Sequence, residues 1–487
     1  MGFDSLMAGV WPIEAYLTRC SMGIISNVGR LPWVRLLTSR LFLLVNKNPQ
    51  ISQAFIRLPC LLYDTNGLMS DERHLANMIT PADKLNAVVH ATFSSLGGAG
   101  AVAARVAQAQ RHMGWTAELA CLVDTPFPKW ARRYPLLATA ALADYYLVRK
   151  NRDEALFSLF RRQHHRATAR QIVDFSGILH LHWLPGFLRP TTLFSAPLRA
   201  HKIVWSVQDM WPLTGGCHYA NACQGFTMDC AACPQVRPAF QPWVEKAFHE
   251  KKAGLAGRHN LLIAVPSEWT RRLVQSSAMM RHLPSVVIPN PVDTRVFTPA
   301  DKAASRARWG IGANRFVIGI GAADLRDERK QIRHTLTKLV AWLASSGLSR
   351  PMEIVVFGAG GPFRDMPQWV RFLGPSKNAA MLADWFNLMD VYVTLSRYET
   401  FGNTIAEAAA CGTPTICATG SGMAEVVEPD VTGLHVNASA ALPGAILSLM
   451  QNPSRLSEMG KAARARAEVL FDVEVVARQF IHAYQSS

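Results

Sequence analysis

Apolar and polar positions fall into a readable order only from Leu85 onward; residues 1–83 show no regular alternation of strand-like and helix-like patterns. The run Ala87-Val88-Val89-His90 reads as a strand and leads into Gly97-Gly98-Ala99-Gly100. After it Val102, Val106, Ala109 and Met113 recur at helical spacing until Gly114 ends the pattern, which predicts a strand, a glycine-rich turn and a helix. Apolar runs at 178–182, 203–207, 261–265 and 286–288 predict further strands, several of them separated by helical stretches. Ile288-Pro289-Asn290-Pro291 breaks regular structure, and a connector follows it. A second alternating series then runs through 316–320, 353–357, 391–395 and 415–418. The fold class expected is α/β, with two Rossmann-like, doubly wound domains over 84–295 and 296–470. Ligands of such sheets sit outside the carboxyl ends of the strands, so two facing domains enclose a cleft. The last helical pattern, within 471–487, is expected to pack back toward the first domain.

Composition narrows the function classes. With 49% hydrophobic and 18% charged residues over 487 positions, the chain is a folded protein rather than a disordered one. Its formal net charge of +16 calls for an acidic partner: nucleic acid, anionic lipid or a phosphate-bearing small molecule. No aromatic-interleaved basic module is present, which argues against nucleic acid. No apolar run approaches the roughly 18 residues of a spanning helix. Four of the nine cysteines fall in one short stretch, a pattern that suits a reducing compartment, and no signal-peptide order opens the chain. The expected location is cytoplasmic, with or without a peripheral seat at the inner membrane face.

The most informative run is Ser396-Arg397-Tyr398-Glu399-Thr400-Phe401-Gly402-Asn403-Thr404-Ile405-Ala406-Glu407. It follows a strand and opens a helix, so the free amides of Asn403, Thr404 and Ile405 are expected to point outward with the positive end of the helix dipole, where a diphosphate fits. Glu399 lies in the turn and Glu407 further along the helix, so the two carboxylates can address different parts of one extended ligand. Together with Ala410-Cys411-Gly412-Thr413-Pro414, the segment Gly420 to Val427 and Thr432-Gly433-Leu434, this run resembles glycosyltransferase family 4, the retaining enzymes of the GT-B fold. The resemblance implies that Glu407 binds the nucleotide ribose, that Glu399 meets the donor sugar, and that Phe401 and Gly402 belong to the donor site. It also aligns Lys330, in Asp324-Leu325-Arg326-Asp327-Glu328-Arg329-Lys330, with the lysine that neutralises the donor diphosphate. Where the family often has an arginine this chain has Asp324, so either Arg326 or Arg329 takes its place, with Arg329 favoured.

In the first half, Gly97 and Gly98 resemble the family's glycine-rich loop near the donor, and His182 of His180-Leu181-His182-Trp183 resembles its histidine near the transferred sugar. Alternatively, His182 is a hydrogen-bonded core residue. The stretch Gln208-Asp209-Met210-Trp211-Pro212, with Pro266-Ser267-Glu268-Trp269, is similar to a bacterial subgroup that builds capsules and exopolysaccharides, except that Gln208 replaces a histidine. The resemblance implies transfer of a sugar from a nucleoside diphosphate to a glycan or lipid-linked acceptor, with no cofactor or divalent metal in catalysis. A nucleotide-sugar epimerase is the rival enzyme.

Cys217, Cys223, Cys230 and Cys233 end in a C-x-x-C knuckle and can surround a structural zinc ion, with His218 as an alternative ligand; free or disulfide-paired thiols are the competing reading. Near the start, Arg30, Arg35, Arg40 and Lys47 flank an apolar stretch that suits an anionic membrane surface, a helix packed on the first domain, or chain ahead of a true start at Met78.

Overall fold

The computed structural model describes residues 86–124, 140–141, 143–150, 156–159, 171–195, 198–348, 351–364 and 366–486. The basic N-terminal segment considered for membrane contact lies outside them. All described residues belong to one compact unit of the chain.

Two parallel six-stranded sheets form its frame. In the first, β1 (Ala87–Ser94) is followed by α1 (Gly97–His112), β2 (Thr116–Val123), β3 (Ile178–Leu181), α2 (Pro190–Ser195), β4 (Lys202–Ser206), α3 (Gln241–Leu255), β5 (Leu261–Val265), α4 (Glu268–Ser276) and β6 (Ser285–Val287). The spatial order is β2-β1-β3-β4-β5-β6. In the second, α5 (Lys302–Arg308) precedes β7 (Phe316–Asp324), α6 (Ile332–Ser345), β8 (Met352–Ala359), β9 (Val370–Gly374), α7 (Ala379–Leu388), β10 (Val391–Thr394), α8 (Asn403–Ala410), β11 (Thr415–Ala418) and β12 (Gly433–Val436). Its order is β12-β11-β10-β7-β8-β9. Central strands such as β3 and β10 are buried at every position, as parallel strands covered on both faces must be. The expected fold of two doubly wound halves is borne out.

Each sheet reverses its strand order once, between β1 and β3 in the first and between β7 and β10 in the second. The loops after these four strands carry the glycine cluster, His182, Lys330 and Glu399, so the candidate site residues leave the two switch points.

Three strands escaped the hydrophobic pattern: β2, β9 and β12. Each is an edge strand or its sheet's outermost partner, and each mixes half-buried positions with buried ones, which weakens the signal. The glycine cluster also behaves differently from the turn expected of it. Helix α1 begins at Gly97 itself, so the glycines form its first turn. Gly97 has a φ of +78°, and a Cβ on Gly100 would lie 2.2 Å from the Ser94 carbonyl oxygen, so glycine is required for the helix to start this close to its strand.

The chain closes with α9 (Leu442–Met450), α10 (Pro453–Arg466) and α11 (Val473–Gln485). Helix α11 lays Val476, Phe480, Ala483 and Tyr484 against Val88, Val106, Ile178 and Val204 of the first domain. Full burial of a side chain such as Phe480 stabilises this return by roughly 1.5–3 kcal/mol. No described helix is long and apolar enough to cross a membrane.

Candidate active site between the two sheets

Gly402 caps α8 at a φ of +117°, a conformation that brings the loop from β10 sharply into the helix. The amide of Ile405 is already bonded to the Gly402 carbonyl oxygen at 3.0 Å, so the helix leaves Asn403 and Thr404 as its open donors among the described residues, rather than all three. Thr404 Oγ1 lies 3.1 Å from the Tyr392 hydroxyl, which donates its proton to the Gly321 carbonyl oxygen at 3.0 Å, and this pair fixes the Thr404 side chain. Phe401 departs from its expected role: its ring is buried edge-on against Phe471, 5.4 Å between centroids, and packs the core instead of lining the cleft.

Lys330 pairs with Glu399 Oε1, and Arg329 Nη1 lies 3.1 Å from Glu399 Oε2. Burial pushes the Glu399 carboxyl up, but the charges of Lys330 and Arg329 outweigh it and hold the group below the ordinary carboxylate range. Arg329 also donates to the Tyr398 carbonyl oxygen at 2.8 Å and to Asp327 at 2.9 Å. Arg326 is elsewhere. It forks onto Asp324, with bonds of 2.9 and 2.8 Å, and its side chain is 70% exposed. Of the two arginines offered in place of the family residue, the structure brings Arg329 to Glu399 and leaves Arg326 in solvent.

The first domain meets this loop at several points. A Cβ on Gly98 would lie 3.4 Å from Asn403 Nδ2, so the first turns of α1 and α8 face each other across a narrow gap. Asn290 Nδ2 donates to Asn403 Oδ1 at 2.8 Å, and Thr400 donates to the Gln208 carbonyl oxygen at 2.8 Å. The Arg329 guanidinium stacks 4.2 Å from the centre of the Tyr219 ring. Arg105 of α1 reaches Glu407 with an Nη2–Oε1 distance of 2.7 Å, and its other arm donates to the Pro291 carbonyl oxygen at 3.0 Å. Burial raises the Glu407 carboxyl above its ordinary value against the pull of Arg105. Sequence reasoning missed Arg105 and Tyr219, because each acts from a different domain than its partner and no local spacing ties the two together.

His182 belongs to a buried stack with His90 and His180, whose ring centroids lie 5.3 and 4.1 Å from its own. Its Nε2 lies 3.0 Å from His90 Nδ1, and His90 Nε2 lies 2.8 Å from Gln110 Oε1. His180 is bonded at both nitrogens, to Tyr484 at 2.6 Å and Ser206 at 2.8 Å. These nitrogens are close enough to resemble a metal set, yet only His182 Nδ1 lacks a partner, so the histidines already satisfy one another and their neighbours. Burial lowers all three imidazoles, His90 to about 4 and the others well below their usual range, so the rings are neutral.

Asp209 organises the loop below. Its Oδ2 takes His218 Nδ1 at 2.6 Å and Trp183 Nε1 at 2.8 Å, and its Oδ1 takes the Trp211 amide at 2.9 Å. His218 Nε2 lies 2.9 Å from the Ser158 hydroxyl, so both ring nitrogens are committed and His218 is not the alternative metal ligand considered for the cysteine loop. Both amide atoms of Gln208 are buried without a hydrogen-bond partner.

The two parallel six-stranded sheets define the class: this is the GT-B fold. Crystal structures that share it include sucrose-phosphate synthase from Thermosynechococcus elongatus, with a TM-score of 0.55 at 18% identity over 83% of this chain and 98% of that one. Anabaena HepE in complex with UDP gives 0.55 at 15% identity over 83% and 100%. Residues 364–466, within the second domain, match the family described as Glycosyl transferases group 1. The D-inositol 3-phosphate glycosyltransferase of Arthrobacter sp. (strain FB24) is 30% identical over 224 residues, 44% of this chain and 52% of its own length. That of Gordonia bronchialis is 26% identical over 326 residues, 62% and 64%. The match spans about half the length of the first such relatives. Residues 364–466 thus resemble the group 1 glycosyltransferases, and the frame they sit in is GT-B.

Proposed function

We propose that the cleft transfers a sugar, with retention of configuration, from a nucleoside diphosphate to a hydroxyl of a glycan or lipid-linked acceptor. The observation that carries this reading is the convergence of Lys330 and Arg329 on Glu399 in the same loop that presents the open amides of Asn403 and Thr404. Two cations beside a helix amino end suit a pyrophosphate. In the reaction the bond from the sugar's anomeric carbon to the diphosphate breaks, and a bond to the acceptor oxygen forms on the same face. The acceptor proton passes to the departing phosphate oxygen. Lys330, Arg329 and the α8 amides stabilise the charge that develops there, where preorganised donors act most strongly. Glu407 takes the ribose hydroxyls beside Arg105, and His182 Nδ1 accepts from a sugar hydroxyl.

The acceptor side is supported by Gln208, whose buried and unpartnered amide suits a hydroxyl. Similarity to the capsule and exopolysaccharide subgroup favours a glycan acceptor, and a net charge of +16 suits work at an anionic inner membrane face. The test is release of nucleoside diphosphate from a panel of nucleotide sugars, with and without glycan, lipid-linked and inositol phosphate acceptors. Acceptor-dependent release is expected, and Lys330→Ala should lower turnover about 10²–10³-fold with the fold intact. Near-normal turnover in that variant, or conversion of donor sugar without acceptor as by an epimerase, overturns the reading.

A further inference from the structure

The loop between β4 and α3 places Cys217, Cys223, Cys230 and Cys233 around one small cavity of about 10 Å³, lined also by Phe226 and Val244. That is room for about one atom-sized guest. Three of the thiols are buried and Cys223 is partly so, and none is in a disulfide. Two sulfurs already accept backbone N–H bonds: Cys223 Sγ from Gly225 at 3.3 Å, and Cys230 from Gly215.

Helix α3 is tied to the same loop. Lys251 of α3 is buried, donates to the Trp211 carbonyl oxygen at 2.7 Å and sits 4.1 Å from the centre of the Trp211 ring.

We propose that the four cysteines bind one zinc ion, and that this clip fixes the loop that carries Tyr219 over Arg329. Binding converts four thiols and Zn²⁺ into a tetrathiolate centre and releases four protons, so charge and atoms balance. Full coordination by sulfur leaves no position for water, so the role is structural. Tyr219 stands two residues after Cys217, and its ring is the face on which the Arg329 guanidinium rests. Loss of the ion should therefore loosen that stack as well as the loop.

The full-length protein, purified without chelator and dialysed, is analysed for metal by mass spectrometry. One zinc per chain is expected, with four more thiols reactive after denaturation in a chelator than after denaturation without one. Cys223→Ser and Cys233→Ser should each lower the zinc content severalfold, and Cys121→Ser, outside the cluster, should keep it. Should the cluster variants fail to fold, the zinc content and chelator-dependent melting of the unaltered protein decide. Absence of metal with all thiols free, or an intact mass that reveals disulfides, overturns the proposal. The readout is independent of sugar transfer, so its failure leaves the proposed reaction untouched.

Discussion

His90 Nδ1 lies 3.0 Å from His182 Nε2, and this contact fixes what His182 can offer a ligand. Gln110 Oε1 accepts from His90 Nε2, so His90 Nδ1 bears a lone pair and must receive the His182 Nε2 proton. His182 Nδ1 is then an unprotonated acceptor without a partner. The same Gln110 donates through Nε2 to Tyr484 at 3.2 Å, so one amide on α1 sets both branches of the histidine network.

Gln110→Leu should therefore impair catalysis without touching the cleft. It removes the acceptor that holds the His90 proton, and His182 loses its fixed tautomer. A lost buried hydrogen bond costs about 1–3 kcal/mol, so kcat/KM should fall roughly tenfold. The pH profile of kcat/KM is the deciding measurement: a purely structural residue leaves its shape unchanged, whereas a tautomer-setting residue alters its acid limb.

Acid should destabilise the fold through the same histidines. Their folded pKa values lie below the unfolded value, His90 at about 4, so the unfolded chain binds more protons as pH falls. The stability contribution is complete above the unfolded pKa and is lost as pH drops from there toward the folded values. Each histidine contributes a slope of up to about 1.4 kcal/mol per pH unit in that window. Glu407, whose folded pKa is raised, opposes this trend at the acid end. Urea midpoints measured from about pH 7.5 to about pH 4.5 should fall steadily, and His90→Gln should flatten the curve; an unchanged slope in the variant excludes the assignment.

Arg105 and Glu407 join the two domains at 2.7 Å, and Glu407 is the carboxylate expected to hold the ribose. Arg105→Met removes the charge that keeps Glu407 from rising further in pKa. The folded carboxylate should then protonate at higher pH, and donor affinity should weaken about tenfold at neutral pH, the size of one charged hydrogen bond. Calorimetric titration with a nucleoside diphosphate across pH would reveal it. Unaltered affinity and pH dependence would place Glu407 outside the ribose site.

Much of the fold was legible because parallel strands covered on both faces leave continuous apolar runs, as at 261–265 and 415–418. Edge strands such as β2 leave no such run; Thr116 is exposed and Glu118 half-buried there. In the candidate site, Glu399 and Lys330 stood out because each lies in a local motif after a strand. The fates of Phe401 and Arg326 did not, since adjacent positions in one motif turn to core, cleft or solvent by angles that spacing does not encode. Arg105 and Tyr219 were hidden for a different reason: their partners lie hundreds of residues away or in the other domain, and only the docked sheets bring them together.

Gly98 and Gly100 sit two residues apart on α1 and should fail in opposite ways when enlarged. A Cβ at Gly100 would stand 2.2 Å from the Ser94 carbonyl oxygen, a backbone atom that cannot move without displacing the end of β1. Gly100→Ala should therefore destabilise the first domain by about 1–3 kcal/mol, as overpacking does, and lower the melting temperature. At Gly98 the neighbour is Asn403 Nδ2, 3.4 Å from the same virtual atom and at the far end of a side chain in the other domain. Gly98→Val fills the gap between the amino ends of α1 and α8 rather than the core. Its melting temperature should stay close to that of the parent protein, and its KM for the nucleotide sugar should rise severalfold. If Gly98→Val binds and turns over donor normally, the gap between the two helix ends is not the diphosphate's place.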